Sequence, residues 1–268
     1  MADSEAKLAT SQQGNYSTGN LVAVEEGDGS PPLLLLHGWG GDETTLRLIT
    51  DRIAGHRRTI RVALPGFGKS PEPQSPWGTW DYVDVIRRWI VERFPNQPLD
   101  VVAHSFGGRV AIGLAGRYPE LIKRLVLIGS TGLRPKRSLN VKLKRLYSKQ
   151  LRMLGGLLGG SIEAKIESKR QQLGSEDWRQ ASPLMRGTLS KVLDEDLSCD
   201  MKEIKRPTLL IWGRRDTATP VWMGKAMQLL IPGSKLLIIE EAGHYCFVDK
   251  PGDTIAAIWK HLELPEAW

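Results

Sequence analysis

Val101-Val102-Ala103-His104-Ser105-Phe106-Gly107-Gly108 carries an apolar strand straight into a helix, with one serine at the turn. A turn this tight needs small residues two positions before and two after the serine, because larger side chains there collide with neighbouring backbone. Ala103 and Gly107 meet that need. The same eight residues also read as an ordinary strand–helix junction capped by Ser105. The rest of the chain decides between the two.

Outward from this stretch, short apolar runs recur at Leu21–Val24, Leu33–Leu36, Ile60–Leu64, Leu99–Ala103, Leu125–Ile128, Thr208–Trp212 and Leu236–Ile239. Several show no polar alternation. Strands apolar on both faces belong to parallel sheets covered by helices on each side. Between the runs, Asp81–Phe94 sets Tyr82, Val85, Ile86, Trp89 and Ile90 on one helical face, and Gly108–Tyr118 and Pro251–Leu264 also read as helices. Alternation of this kind implies an α/β fold: a doubly wound, mostly parallel sheet of about seven or eight strands. The pattern lapses once. From Thr131 to Arg206 the sequence offers amphipathic helical stretches and no strand, with breaks at Gly155-Gly156 and Gly159-Gly160. Residues 131–206 are therefore expected to be a helical cap inserted into a body made of 1–130 and 207–268. The first 19 residues read as a poorly ordered lead-in.

Composition is that of a globular chain, with 41% hydrophobic and 25% charged residues among 268, which sets aside disordered, collagen-like and coiled-coil classes. No apolar run approaches the ~20 residues of a membrane span. The start of the chain is polar, without a signal-peptide core. Cys199 and Cys246 read as reduced thiols, and Cys246 as a weak target for thiol reagents. A cytoplasmic location is the expectation. The net charge of +7 is local: eleven Lys or Arg between Thr131 and Arg170 face only Glu163 and Glu167, giving that segment +9 and the remainder −2. Such a segment acts as a field on one face, not as a nucleic-acid module.

A serine hydroxyl attacks only when a base takes its proton and an acid orients the base. His37 sits in a Gly-rich turn after a strand, and His104 lies inside the serine turn. His56 and His261 fall among polar residues and read as exposed. His244, on a loop past Leu236–Ile239, is the candidate base, and Asp216, past Thr208–Trp212, the candidate acid. Both lie at the carboxyl ends of strands, where parallel-sheet sites assemble. Asp194, Glu195 and Asp196 read as a solvated face of the cap. The order Ser105, Asp216, His244, each after a separate strand, matches that of α/β-hydrolases.

Residues 21–130 and 207–268 together resemble the α/β-hydrolase fold family. Leu33-Leu34-Leu35-Leu36-His37-Gly38-Trp39-Gly40-Gly41 is similar to the family's oxyanion loop. Pro65-Gly66-Phe67-Gly68-Lys69-Ser70 is similar to its Pro-Gly turn, and Pro207 to Asp216 to its acid-bearing strand and loop; Gly243-His244 follows. The position of the insert, after the family's sixth strand, is where a cap is commonly carried. Ala103 departs from the usual first glycine of the serine turn, and Ala63 from an aspartate often found before Leu64-Pro65-Gly66.

The resemblance implies acyl transfer to water, with Ser105 as nucleophile, His244 as general base and Asp216 fixing its tautomer. The backbone N–H groups of Trp39 and Phe106 would meet the developing oxyanion. No cofactor and no metal are implied. The expected partner is a small-molecule ester or other acyl substrate, with neither nucleic acid nor stable membrane insertion. The basic cap allows weak contact with anionic surfaces, since Leu139, Leu143, Leu146, Tyr147 and Met153 can share one helical side ringed by cations. A solvated cap accounts for the same residues. Trp39, Phe106, Trp212, Trp222 and Tyr245 read either as pocket wall or as core. The leading activity is that of a carboxylic-ester hydrolase. Carbon–carbon bond hydrolases of ring-cleavage products, lactonases and perhydrolases share the triad, and a ligand receptor of the same fold is the non-enzymatic alternative. Nothing in the sequence sets the oligomeric state.

Overall fold

The computed structural model describes residues 18–134 and 176–265. The lead-in up to residue 17, the basic and apolar residues from 135 to 170 and the paired glycines at 155–156 and 159–160 lie outside them.

Seven strands form one sheet in the order β1-β3-β2-β4-β5-β6-β7. They are β1 (Ala23–Glu26), β2 (Leu33–Leu36), β3 (Thr59–Val62), β4 (Leu99–His104), β5 (Ile122–Ile128), β6 (Thr208–Gly213) and β7 (Lys235–Ile239). All neighbours run parallel except β1, which pairs antiparallel with β3. Side chains alternate between two apolar layers, as a pleat of period two requires. Leu34, Leu36, Val101, Ala103, Leu125, Leu127, Leu210 and Trp212 face one layer. Leu33, Leu35, Val102, Val126, Ile128, Leu209 and Ile211 face the other. The first layer is covered by α2 (Thr79–Arg93) and α3 (Phe106–Arg117), the second by α1 (Arg47–Ile53) and the C-terminal helix Pro251–His261. The predicted apolar face of α2 is buried throughout.

The first strand lies two residues later than the apolar run Leu21–Val24 predicts. Its end is charged, and ion pairs across the strand pair hold it in the sheet: Glu25 with Arg58 at 2.6 Å and Glu26 with Arg61 at 2.7 Å. Hydrophobic pattern alone is blind to such an edge.

Between β5 and β6, the described residues from 176 onward contain three helices and no strand: α4 (Glu176–Gln180), α5 (Pro183–Asp194) and α6 (Ser198–Lys202). In this chain's own count the segment follows the fifth strand. No described helix is long and apolar enough to cross a membrane. Of the three acidic residues read as a solvated face, Asp194 and Asp196 are exposed, whereas Glu195 is partly buried, and all three make polar contacts. Asp196 Oδ2 accepts the Arg134 N–H at 2.9 Å, and Asp194 lies 4.0 Å from the Arg134 guanidinium. Glu195 does most. Helix α2 is preceded by Gly78, which has no side chain with which to cap it, and the Glu195 carboxylate accepts the Thr79 N–H at 2.9 Å from 116 residues away. Buried Arg109, in α3, donates to the Glu195 carbonyl at 2.8 Å and to the Thr79 hydroxyl at 3.1 Å. Thr188 accepts the Trp77 N–H at 3.0 Å. An anion at a helix N-terminus is stabilised both by free N–H groups and by the helix dipole. Glu195→Ala should therefore lower the unfolding free energy by about 1–2 kcal/mol in urea titrations. An unchanged midpoint would mean that the Glu195 carboxylate adds nothing to this joint.

Candidate active site

In a parallel sheet every carboxyl end lies on one rim. His104, Ile128, Ile211 and Leu237 are level across β4, β5, β6 and β7. Ser105 follows β4 directly, Asp216 follows β6 by three residues, and His244 follows β7 by five. Their loops are laced to this rim by the bonds Ser105 N–H to Ile128 O at 3.0 Å, Gly129 N–H to Ile211 O at 2.9 Å and Arg215 N–H to Ala242 O at 2.8 Å.

Ser105 has left-handed backbone, with φ 50° and ψ −111°, and its side chain makes no capping hydrogen bond to α3. The capping interpretation is thereby removed, and the hydroxyl is free to face the rim. Such a backbone is costly for a non-glycine residue and persists only where the surroundings enforce it. They do so through Gly107: a Cβ there would stand 2.4 Å from the Leu36 carbonyl oxygen and 2.6 Å from that of His37. Ala103, at the opposite position, is fully buried within β4, so its methyl group fits where the family usually has glycine.

His244 Nδ1 lies 2.8 Å from Asp216 Oδ2. Because a carboxylate only accepts, Nδ1 carries the proton, which leaves Nε2 as the basic nitrogen on the side of the ring away from Asp216. The Asp216 side chain is fully buried. Burial raises its carboxyl, but hydrogen bonds from His244 and Thr219 outweigh this and hold it below the usual carboxylate range. Gly129 lets the pair approach the sheet. Its φ is 48°, and a Cβ there would lie 3.2 Å from both Asp216 Oδ2 and His244 Nδ1. Since the Ser105 N–H is bonded to the carbonyl of Ile128, the backbone of the predicted serine is anchored one residue before Gly129, against which the His244–Asp216 pair packs.

The two predicted oxyanion donors meet where β2 and β4 lie side by side while their connections diverge, the crevice in which such sheets bind ligands. The Trp39 and Phe106 rings pack edge to face at 5.3 Å, with Phe67 4.9 Å from Trp39. Phe106 opens α3, so its N–H has no partner within the helix. Among the described residues neither its N–H nor that of Trp39 joins a backbone hydrogen bond. His37 braces this loop. Its Nε2 accepts the Leu64 N–H at 2.9 Å, so Nδ1 holds the proton and donates to the Gly38 carbonyl at 2.7 Å. Ser70 closes the Pro-Gly turn by donating to the Ala63 carbonyl at 2.7 Å and accepting from Val22 at 2.9 Å.

Of the remaining predicted aromatics, Trp212 is core, whereas Trp222 and Tyr245 are 46% and 47% exposed. His56 is exposed as expected, but His261 is partly buried. Cys246 is enclosed, and burial pushes its thiol up to about 11, so the folded protein does not offer it to reagents. No three His, Cys, Asp or Glu side chains among the described residues are grouped to hold a metal ion. Two participants escaped the sequence reading. Thr219 touches both Asp216 and His244; the local signal for it is the turn in which Asp216 accepts N–H groups two and three residues ahead. His104, read only as interior, donates from Nε2 to the His244 carbonyl at 3.1 Å, with ring centroids 4.7 Å apart.

A model of the alpha/beta hydrolase family matches residues 33–258. The chain belongs to that family. Among curated relatives it is 28% identical over 246 residues to a pimeloyl-[acyl-carrier protein] methyl ester esterase of Nitrosomonas europaea, covering 86% of this chain and 95% of the relative. It is 29% identical over 248 residues to the protein of the same name from Aeromonas salmonicida, covering 86% and 94%. Among solved structures, a thermophilic esterase from Thermogutta terrifontis superposes with a TM-score of 0.69 at 22% identity, over 91% of this chain and 93% of that one. A meta-cleavage product hydrolase from Pseudomonas fluorescens IP01 gives 0.67 at 22% identity, over 91% and 94%. At such identities the two structures share the fold with this alpha/beta hydrolase and nothing finer.

The buried His104 gives the site a pH signature. Burial, reinforced by the nearby His244, pushes its imidazole down to about 3, whereas its ordinary value is 6.5. Between those values the unfolded chain binds a proton that the folded protein does not. Stability therefore falls as the pH drops through this window, by about 1.4 kcal/mol per unit for this group. His37, also lowered by burial, adds to the trend. In His104→Gln, denaturant titrations from pH 6.5 to 4 should show a slope shallower by about 1 kcal/mol per unit. Equal slopes would contradict the buried, neutral ring.

Proposed function

We propose that this alpha/beta hydrolase cleaves carboxylic esters, with Ser105, His244 and Asp216 as its catalytic triad. Ser105 Oγ attacks the ester carbonyl while His244 Nε2 takes its proton. The oxyanion is met by the backbone N–H groups of Phe106 and Trp39, aided by the positive end of the α3 dipole. His244 then returns the proton to the departing alcohol, and water repeats the cycle in reverse to release the acid. Asp216 stays ionised, keeps the proton on Nδ1 and stabilises the imidazolium. The protein's part is placement: groups that need no rearrangement as charge develops.

One observation carries this reading. A hydrogen-bonded His–Asp pair at 2.8 Å, on the loops after β6 and β7, shares one rim of the sheet with a serine held in left-handed backbone at the end of β4. A structural ion pair needs no strained serine, and a capping serine needs no base. The ester bond as target draws support from the curated relatives, whose names specify methyl ester hydrolysis. We further read residues 131–206 as a cap over this rim and 1–130 with 207–268 as the catalytic body. The joint at Glu195 and Arg109 supports that division.

Turnover of a p-nitrophenyl ester series tests the proposal. Ser105→Ala should lower kcat at least about 10⁴-fold and Asp216→Asn by a comparable factor, with unchanged circular dichroism. Retention of a tenth of the activity by Ser105→Ala would overturn the nucleophile assignment. A vinylogous diketo acid turned over faster than every ester would overturn the choice of bond while leaving the triad in place.

A further inference from the structure

The Asp216 carboxylate is held by more than the imidazole it faces. Its Oδ1 accepts the N–H groups of Ala218 and Thr219 at 2.9 and 2.8 Å. Its Oδ2 accepts His244 Nδ1–H at 2.8 Å and the Thr219 hydroxyl at 2.7 Å. That same hydroxyl oxygen is 3.0 Å from the Gly129 carbonyl oxygen and 3.3 Å from His244 Nδ1. A threonine hydroxyl has one hydrogen, so at any instant it serves Asp216 or Gly129 and not both.

Everything else about Thr219 is fixed. The residue is 2% exposed, its N–H is spent on Asp216, and its carbonyl accepts the Trp212 indole N–H at 2.6 Å. Pro220 then starts the approach to the helix Val221–Leu230. The second acceptor is equally fixed, because Gly129 is anchored to β6 by its own N–H. Only the hydroxyl hydrogen is left to turn.

We propose that Thr219 is a positioning residue of the hydrolytic site, its hydroxyl turning between Asp216 Oδ2 and the Gly129 carbonyl as His244 gains and loses a proton. The proposal rests on the ester-hydrolase reading above. While His244 is neutral, the hydroxyl lies on Oδ2 and the carboxylate has four donors for its lone pairs. When His244 takes the Ser105 proton, its attraction to Oδ2 grows. The hydroxyl then turns to Gly129 and leaves Oδ2 undivided for the imidazolium Nδ1–H. It also presents its own lone pair to that group from 3.3 Å. No covalent bond changes, and the proton stays on Thr219 throughout. The gain is differential, because only the charged imidazole, present in the transition state, receives the fuller interaction.

Thr219→Val keeps shape and removes the hydroxyl, while Thr219→Ser keeps the hydroxyl. On the ester series Thr219→Val should lower kcat roughly 5- to 50-fold with KM within about twofold, and Thr219→Ser should recover kcat to within about threefold of the parent. In protein whose Ser105 has reacted with a phosphonate, the downfield Nδ1 proton of His244 should shift in Thr219→Val and return in Thr219→Ser. A parent-like kcat in Thr219→Val, or an equal loss in Thr219→Ser and Thr219→Val, overturns the proposal. If Thr219→Val does not fold, Thr219→Ala against Thr219→Ser makes the same comparison, and equal rates overturn it. Ser105→Ala in the same assay separates the two levels. Turnover that persists there removes the hydrolytic reading and this proposal with it, whereas its loss beside a parent-like Thr219→Val removes this proposal alone.

Discussion

The site depends on a residue held against its own backbone preference. Left-handed geometry at a serine costs about 1–3 kcal/mol, and nothing local to residues 104–106 returns it. The return comes from both sides of the turn. β4 is buried along its whole length, and α3 is buried from Phe106 to Ala115. Strand and helix are each too deeply set to relax the joint between them. The contact of Gly107 with the backbone of residues 36 and 37 then ties this joint to β2 and to the loop that follows it. A single steric constraint thus places the serine, the first N–H of α3 and the loop bearing Trp39 relative to one another.

The electrostatics follow from burial as directly as the geometry does. Two histidines beside the site, His37 and His104, are enclosed and stay neutral. A third, His244, keeps a partly open edge with its side chain 17% exposed, and it alone is joined to a carboxylate. Three imidazoles close together would repel if all were charged. Burial keeps two of them neutral. Asp216 stays charged in a fully buried setting because four hydrogen bonds replace its lost water.

Much of this was legible because the parallel sheet writes itself plainly into sequence. Runs such as Leu125–Ile128, apolar on both faces, have no other home, and residues just past such runs must share one rim. That geometric argument brings Ser105, Asp216 and His244 to one rim, each just past a strand end. The misreadings share a cause too. Glu195 looked solvated because its partners, Thr79 and Arg109, are distant in the chain. Glu25 and Glu26 fall outside the apolar run Leu21–Val24 because their arginines, Arg58 just before β3 and Arg61 within it, are distant in the chain. Thr219 does not stand out because a threonine after an aspartate reads as a turn, and the second acceptor of its hydroxyl, Gly129, is 90 residues away. Polar groups paired across long separations leave no periodic trace, so apolar patterning finds the sheet and misses its joints.

The most direct test of the central claim is a crystal structure of the protein after reaction with a p-nitrophenyl alkylphosphonate. The account predicts phosphorus bonded to Ser105 Oγ and a phosphonyl oxygen about 2.7–3.1 Å from the N–H groups of both Trp39 and Phe106. It also predicts His244 Nε2 on the leaving-group side and Nδ1 still bonded to Asp216. Phosphorus on another side chain, or a phosphonyl oxygen turned away from both N–H groups, would contradict it.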